Sequence, residues 1–154
     1  MDFHPFIVHF PIAFLTLSAL CDLVALLTSR DQFRFAGFLL LVLGTLGALA
    51  AAQSGDSAEH FAGQIPGIHE ALEQHESLAT VAIWAAVVLT LGRAHFVLKK
   101  RFQGAVCIVY VLLALGLSGT ILATGYTGGK MVYEFGAGTA AAKQETGAGT
   151  QEPE

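Results

Sequence analysis

Two histidines and two prolines open the first apolar run, His4-Pro5-Phe6-Ile7-Val8-His9-Phe10-Pro11-Ile12. An imidazole at the water-facing end of a membrane helix is costly unless it is solvated, hydrogen-bonded or ligating something, so this stretch needs partners. Candidates lie further along, where His69 and His75 stand among Glu70, Glu73 and Glu76. A non-covalent haem in a helical bundle takes axial imidazoles from facing helices and an apolar slot for its macrocycle. His9 and His75 meet the first demand; Phe6, Phe10, Leu72 and Leu78 can line the second. His4, His9, His69 and His75 with the neighbouring glutamates also make a donor set for Zn, Cu or Fe. In a third reading the histidines only hydrogen-bond to carbonyls near Pro11 and to water, stapling the bundle mouth. His60 reads as a solvated loop residue and His95 as an interfacial one.

Other chemistries lack their residues. The sequence has no Glu-x-x-His of a bundle di-iron site, no H-E-x-x-H and no C-x-x-C-H for covalent haem. It also has no G-x-S-x-G for nucleophilic hydrolysis. Cys21 and Cys107 both fall in apolar segments and read as small apolar fillers.

The elements that hold these residues are set by composition. Apolar residues make up 54% of the 154, only 13% are charged, and the mean hydropathy is +0.61. A soluble globule of this size must turn a large share of its residues to water, so lipid is the expected solvent. The net charge of -4 and the short basic clusters exclude a nucleic-acid footprint. Crossing a bilayer core of about 30 Å takes about 20 apolar residues in a helix. Four stretches qualify, 6–27, 35–52, 78–98 and 105–124. The expected fold is therefore all-α, an up-down four-helix bundle in the membrane over residues 1–138, with a flexible polar tail over 139–154.

Arg30 and Arg34 lie in the first connection, and Lys99, Lys100 and Arg101 in the third. The second, from Gln53 to Ser77, carries Asp56, Glu59, Glu70, Glu73 and Glu76 with no Lys or Arg. The positive-inside rule makes the basic connections cytoplasmic and puts both termini and the histidine-bearing loop outside, which for a bacterial chain means the outer face of the inner membrane.

Asp22 and Arg93 are the two charges within spans. Each lies five residues from the basic end of its span, Leu27 or Leu98, or about 7–8 Å in at 1.5 Å per residue. Opposite charges at one depth predict a structural pair. Pro11 removes a backbone bond to Ile7 and is expected to loosen the turn carrying His9. Gly37, Gly44, Gly47, Gly116 and Gly119 allow close helix approach. The apolar spacing from Ile68 predicts that the third helix begins near His69, with His75 facing the bundle and His69 turned away. Past residue 124, the glycine-rich run Gly125 to Gly138 predicts a folded-back cap, in which exposed N–H groups and Lys130 form a weak anion or cofactor contact.

The chain resembles a widespread bacterial family of four-span membrane proteins of unknown function. That family's pattern opens H-P-x-x-V-H-F-P-I-A, matched by His4 to Ala13, and closes G-x-x-G-G-x-x-V-Y-x-H-G, matched by Gly125 to Gly136 except that Phe135 replaces the histidine. Asp22 and His75 would fill the family's aspartate late in helix one and its histidine before helix three. The resemblance implies architecture first. It also implies candidacy for b-type haem or for service in respiratory membranes, some relatives being fused to redox modules.

The expectation from sequence is a b-type haem carrier passing electrons between the membrane quinone pool and an external carrier. The rival is a non-catalytic accessory subunit of a respiratory or photosynthetic complex, or a homo-oligomer in lipid; the third reading is metal binding or transport.

Overall fold

The structure is a computed structural model that describes residues 4–139; the side chains of residues 56–61, including His60, lie outside the description, as does the expected tail from residue 140 onward. Five helices are found among the described residues: α1 (His4–Ile7), α2 (His9–Thr28), α3 (Asp31–Ala62), α4 (His69–Leu98) and α5 (Ala105–Phe135). α1 and α2 form one interrupted span, so the chain crosses four times, and all four spans are long and apolar enough for a bilayer. α2 packs on α3 and α5, and α4 on α5 and α3. The bundle therefore has α2 and α4 on its diagonal.

The interruption falls at Val8, one turn before Pro11. Proline has no N–H to give the Ile7 carbonyl, so the first turn is free to separate from the helix that follows. At the basic end the links are tight. Ser29 and Arg30 alone join α2 to α3, with Ser29 in the left-handed region (φ 54°) and its N–H bonded to the Ala25 carbonyl at 2.9 Å.

α3 carries the seam on which the first hairpin closes. A Cβ at Gly44 would meet the Leu15 side chain at 2.8 Å, and one at Gly47 would meet Pro11 Cδ at 3.3 Å. Gly37 faces the Asp22 carboxyl, and Gly55 would meet His4 Cε1 at 3.4 Å. These four contacts follow one antiparallel register, which crosses the Val8 break without slipping. Without side chains at those positions the backbones approach closely and gain dispersion contacts, the main attraction between helices in lipid. Thr45 adds a polar stitch in mid-span, 2.8 Å from Thr90 of α4.

Outside this interior the helices present apolar surface, including Leu27, Phe35, Trp84, Val88, Leu91 and Leu112. In water such a coat would aggregate; in hydrocarbon it is the natural exterior. Cys107 is buried and Cys21 half-buried, both as free thiols.

Two elements are longer than their apolar stretches. α3 continues to Ala62, ten residues past the expected end at 52, and α5 runs on to Phe135 where a folded-back cap was expected after 124. Each interior glycine costs a helix up to about 1 kcal/mol, but at two of those in α5, Gly125 and Gly128, a neighbour presses in. A Cβ at Gly125 would touch Ile12 at 3.0 Å and one at Gly128 would touch His75 at 3.2 Å. Packing has overridden local propensity. The helix stops at Gly136 in the left-handed region (φ 70°), where the Gly136 N–H reaches the Val132 carbonyl and the Ala137 N–H the Met131 carbonyl, a Schellman-type ending.

The seam makes a direct prediction. Gly44→Ala forces α2 and α3 apart and should lower stability in detergent by about 1–3 kcal/mol, whereas Gly116→Ala meets nothing within 4 Å and should be neutral or stabilising by up to about 1 kcal/mol. Thermal unfolding followed by circular dichroism compares the two, and equal effects would refute the seam.

Candidate functional site: a buried charge at the basic end and histidines at the other

At the basic end Asp22 of α2 and Arg93 of α4 meet across the bundle diagonal. Both are almost wholly buried, at 3% and 2% exposure. Arg93 Nη1 donates to Asp22 Oδ2 and to the Tyr110 hydroxyl of α5 (3.0 Å), and the hydroxyl in turn donates to Asp22 Oδ2 at 3.2 Å. Arg93 Nη2 donates to the Arg34 carbonyl of α3 at 2.6 Å. All four spans are thus tied by one guanidinium. Two further features make room for it. Gly37 has no side chain to displace the Asp22 carboxyl, and its carbonyl is held by the Ser18 hydroxyl at 2.7 Å.

Arg93 Nε is buried without a hydrogen-bond partner. Its compensation is aromatic, since the rings of Phe38, Phe102 and Tyr110 stand 5.0–5.3 Å from the guanidinium carbon. A desolvated cation over an aromatic face gains on the order of 2 kcal/mol. Tyr110 lies five residues into its span from Ala105, so the depth count that pairs Asp22 with Arg93 would also have found it. Phe38 and Phe102 carry no such signal.

The other end holds the histidines. His9 is exposed, and its Nδ1 donates to the Pro5 carbonyl of its own turn at 2.6 Å. His75 is half-buried, and its Nδ1 lies 3.0 Å from the Thr124 carbonyl and 3.1 Å from Thr127 Oγ1, both on α5. His4 is half-buried, with Nδ1 2.9 Å from Ser54 Oγ on α3. Tautomers follow from the acceptors. A carbonyl only accepts, so His9 and His75 carry their proton on Nδ1. The Ser54 hydroxyl also has the Ala51 carbonyl as an acceptor at 2.9 Å, and between it and His4 Nδ1 either atom can be the donor. In the neutral form His9 and His75 therefore keep the lone pair on Nε2.

His75 faces the bundle and His69 is exposed, the arrangement that the spacing gave. Lys130 is engaged by Glu134 one turn on, at 3.7 Å near the surface, and is part of a continuous helix with no anion-binding turn around it. Among the described residues no three His, Cys, Asp or Glu side chains converge as a metal-binding group, so the set His4, His9, His69 and His75 with Glu70, Glu73 or Glu76 does not assemble as one centre. Nor does a hydrogen bond or ring contact join His9 to His75 among the described residues. Ser54, which orients His4, had no signal in the sequence beyond its place on the glycine seam.

A diagonal ion pair inside four apolar spans defines an all-helical, multi-pass membrane protein. The chain belongs to the family described as predicted membrane protein (DUF2231), which it matches over residues 1–141. No curated protein and no solved structure is similar enough to the chain to match it.

Removing one partner of a buried pair strands the other charge, at about 3–5 kcal/mol, while replacing both by apolar groups is often neutral. Arg93→Met alone should therefore destabilise the detergent-solubilised protein severely, and Asp22→Leu combined with Arg93→Met should recover most of the loss. Additive effects in this double-mutant cycle would show that the pair is not coupled.

Proposed function

We propose that the protein is a b-type haem electron carrier of the bacterial inner membrane, exchanging electrons between the quinone pool and a carrier on the outer side. The observation that carries this reading is the state of the imidazoles at the histidine end. His75 is half-buried, its Nδ1 proton is committed to the Thr124 carbonyl and Thr127 hydroxyl, and its Nε2 keeps a lone pair. A histidine whose outer nitrogen is hydrogen-bonded to a carbonyl is fixed in orientation and made a better ligand at the other nitrogen. The glycine beside it, Gly128, leaves the ring a seat that a Cβ would crowd. These features suit a histidine that would hold the haem iron.

When bound, the haem supplies one-electron chemistry by cycling between its ferric and ferrous states. The chain's own residues have three tasks: the Thr124 carbonyl holds the His75 tautomer, Gly128 admits the ring, and the lipid-facing apolar residues keep the spans in hydrocarbon. The orientation rests on the basic residues of the short connections, Arg30, Arg34, Lys99, Lys100 and Arg101, which the positive-inside rule assigns to the cytoplasm.

A second reading is favoured by His9, whose Nδ1 bond to the Pro5 carbonyl within its own turn needs no ligand to explain it. If all the histidines are staples of this kind, the bundle is a non-catalytic accessory subunit of a larger membrane complex. Absorption spectra of the detergent-purified protein, produced with ample haem and recorded oxidised and dithionite-reduced, separate the two. The haem reading expects a Soret band and sharp reduced α and β bands. The staple reading expects no chromophore, with His75→Ala costing about 1 kcal/mol of stability for its hydrogen bond.

A further inference from the structure

The basic end of the bundle carries an excess of positive charge. Arg30 and Arg34 flank the first turn of α3, and Lys99, Lys100 and Arg101 follow α4, with Asp31 the one carboxylate in these two stretches. Asp22 is already engaged by Arg93. Asp31 offers little, because it is exposed and its Oδ1 stands 3.6 Å from Arg34 Nη1, and an exposed pair of this kind contributes little. Arg34 Nε is buried without a hydrogen-bond partner. The Arg34 guanidinium is thus a half-buried cation short of an acceptor.

The two basic stretches meet at one landmark, the Arg93 guanidinium. The Arg34 carbonyl accepts from Arg93 Nη2 at 2.6 Å. Phe38, one turn beyond Arg34, and Phe102, next to Arg101, set their rings 5.3 and 5.1 Å from the Arg93 guanidinium carbon. The chain positions that carry Arg34 and Arg101 are therefore held beside the same group.

Lys100 adds an observation that topology does not explain. α4 ends in a Schellman turn, in which the Lys100 N–H reaches the Val97 carbonyl at 3.0 Å and the Arg101 N–H the Phe96 carbonyl at 2.9 Å. The residue in the left-handed region of that turn is Lys100, at φ 54°. Glycine is the default there, since a Cβ is penalised in that conformation, and α5 does end on a left-handed glycine, Gly136. The positive-inside rule counts cations in a connection and is indifferent to which position holds them. Here a cation occupies the position of the turn that most disfavours a side chain.

From this we infer that the basic end holds an anionic phospholipid, its phosphate bound by Arg34 of α3 with Lys100 and Arg101 of the connection to α5. Charge selects the headgroup. The cations outnumber the single acid, whereas a zwitterionic lipid would bring a further cation to the same place. The planar fork of an arginine matches two phosphate oxygens, and such a partner gives Arg34 the acceptor that Asp31 does not. Apolar surface selects a lipid over a soluble anion. Phe35 beside Arg34 and Leu98 beside Lys99 are both exposed and offer acyl chains a surface next to the cations. Basic clusters at the ends of membrane spans recognise anionic lipid by this combination.

The test uses the full chain in nanodiscs of phosphatidylcholine alone and of phosphatidylcholine mixed with phosphatidylglycerol. Thermal unfolding midpoints are measured in both, and native mass spectrometry identifies the lipid retained after release. Wild type is compared with Arg34→Gln, Arg101→Gln, Lys100→Gly and, at the opposite end, Lys130→Gln. The expected result is that the wild type and Lys130→Gln retain phosphatidylglycerol and unfold at a higher temperature when it is present. One cation near a membrane surface gives about a fivefold preference for anionic lipid, so each of the other three variants should reduce retention by about that factor. Lys100→Gly separates charge from fold, because in phosphatidylcholine alone its midpoint should equal or exceed that of the wild type. Inorganic phosphate and glycerol 3-phosphate should not reproduce the shift; if they do, the site takes a soluble anion and the lipid assignment falls. Equal retention of the two lipids by the wild type, or an undiminished preference when Arg34→Gln and Arg101→Gln are combined, would likewise overturn it.

Discussion

One guanidinium, buried in an apolar bundle, sets the terms for the rest of this fold. Arg93 binds Asp22 of α2, Tyr110 of α5 and the Arg34 carbonyl of α3 from its own place on α4, so no span can shift without disturbing it. Ionised groups in hydrocarbon are expensive even near a helix end. The cost is offset by three hydrogen bonds from the two terminal nitrogens and by three aromatic rings around the guanidinium carbon. An interaction this demanding is poor as a source of raw stability, because an apolar replacement would serve as well. It is strong as a constraint on geometry: only one rotation of α2 and α4 brings both charges to the diagonal.

The glycine seam of α3 complements that constraint. The ion pair fixes rotation at one end, and Gly37, Gly44, Gly47 and Gly55 fix register along the length, receiving Asp22, Leu15, Pro11 and His4 in order. Asp22 belongs to both systems, since its carboxyl lies over Gly37 while it holds Arg93. The seam is also what brings His4 to its place. With α2 seated on α3 in this register, the turn that continues it beyond Val8 is directed at Ser54, so a feature of packing decides which histidine faces inward.

Much of this was legible in the residues. Four spans follow from apolar length alone, and equal depth from the basic ends pairs Asp22 with Arg93. Helical spacing from Ile68 places the start of α4 and turns His75 inward. What escaped is governed by contacts between distant elements. The stretch from Gly125 to Phe135 looks like a loop because glycine is a poor helix former, and it is helical because Ile12 and His75 press against it. His9 looks like the inward histidine because it lies closer to the apolar core, and His4 looks peripheral because its partner, Ser54, is fifty residues away. The choice between the two depends on the rotation of α2, which the α3 seam determines and no local pattern reports.

The helices are unequal in reach, and this gives the molecule a direction. α3, α4 and α5 have 32, 30 and 31 residues, or about 45–48 Å each against a hydrocarbon core of about 30 Å. At the basic end the connections are two and six residues long, Ser29 to Arg30 and Lys99 to Gly104, so the surplus length all emerges at the histidine end. Each of the three is thus longer than that core by roughly 15 Å. The two ends of the bundle therefore differ in build: short turns close one, while at the other α3 and α5 run out and α4 runs in.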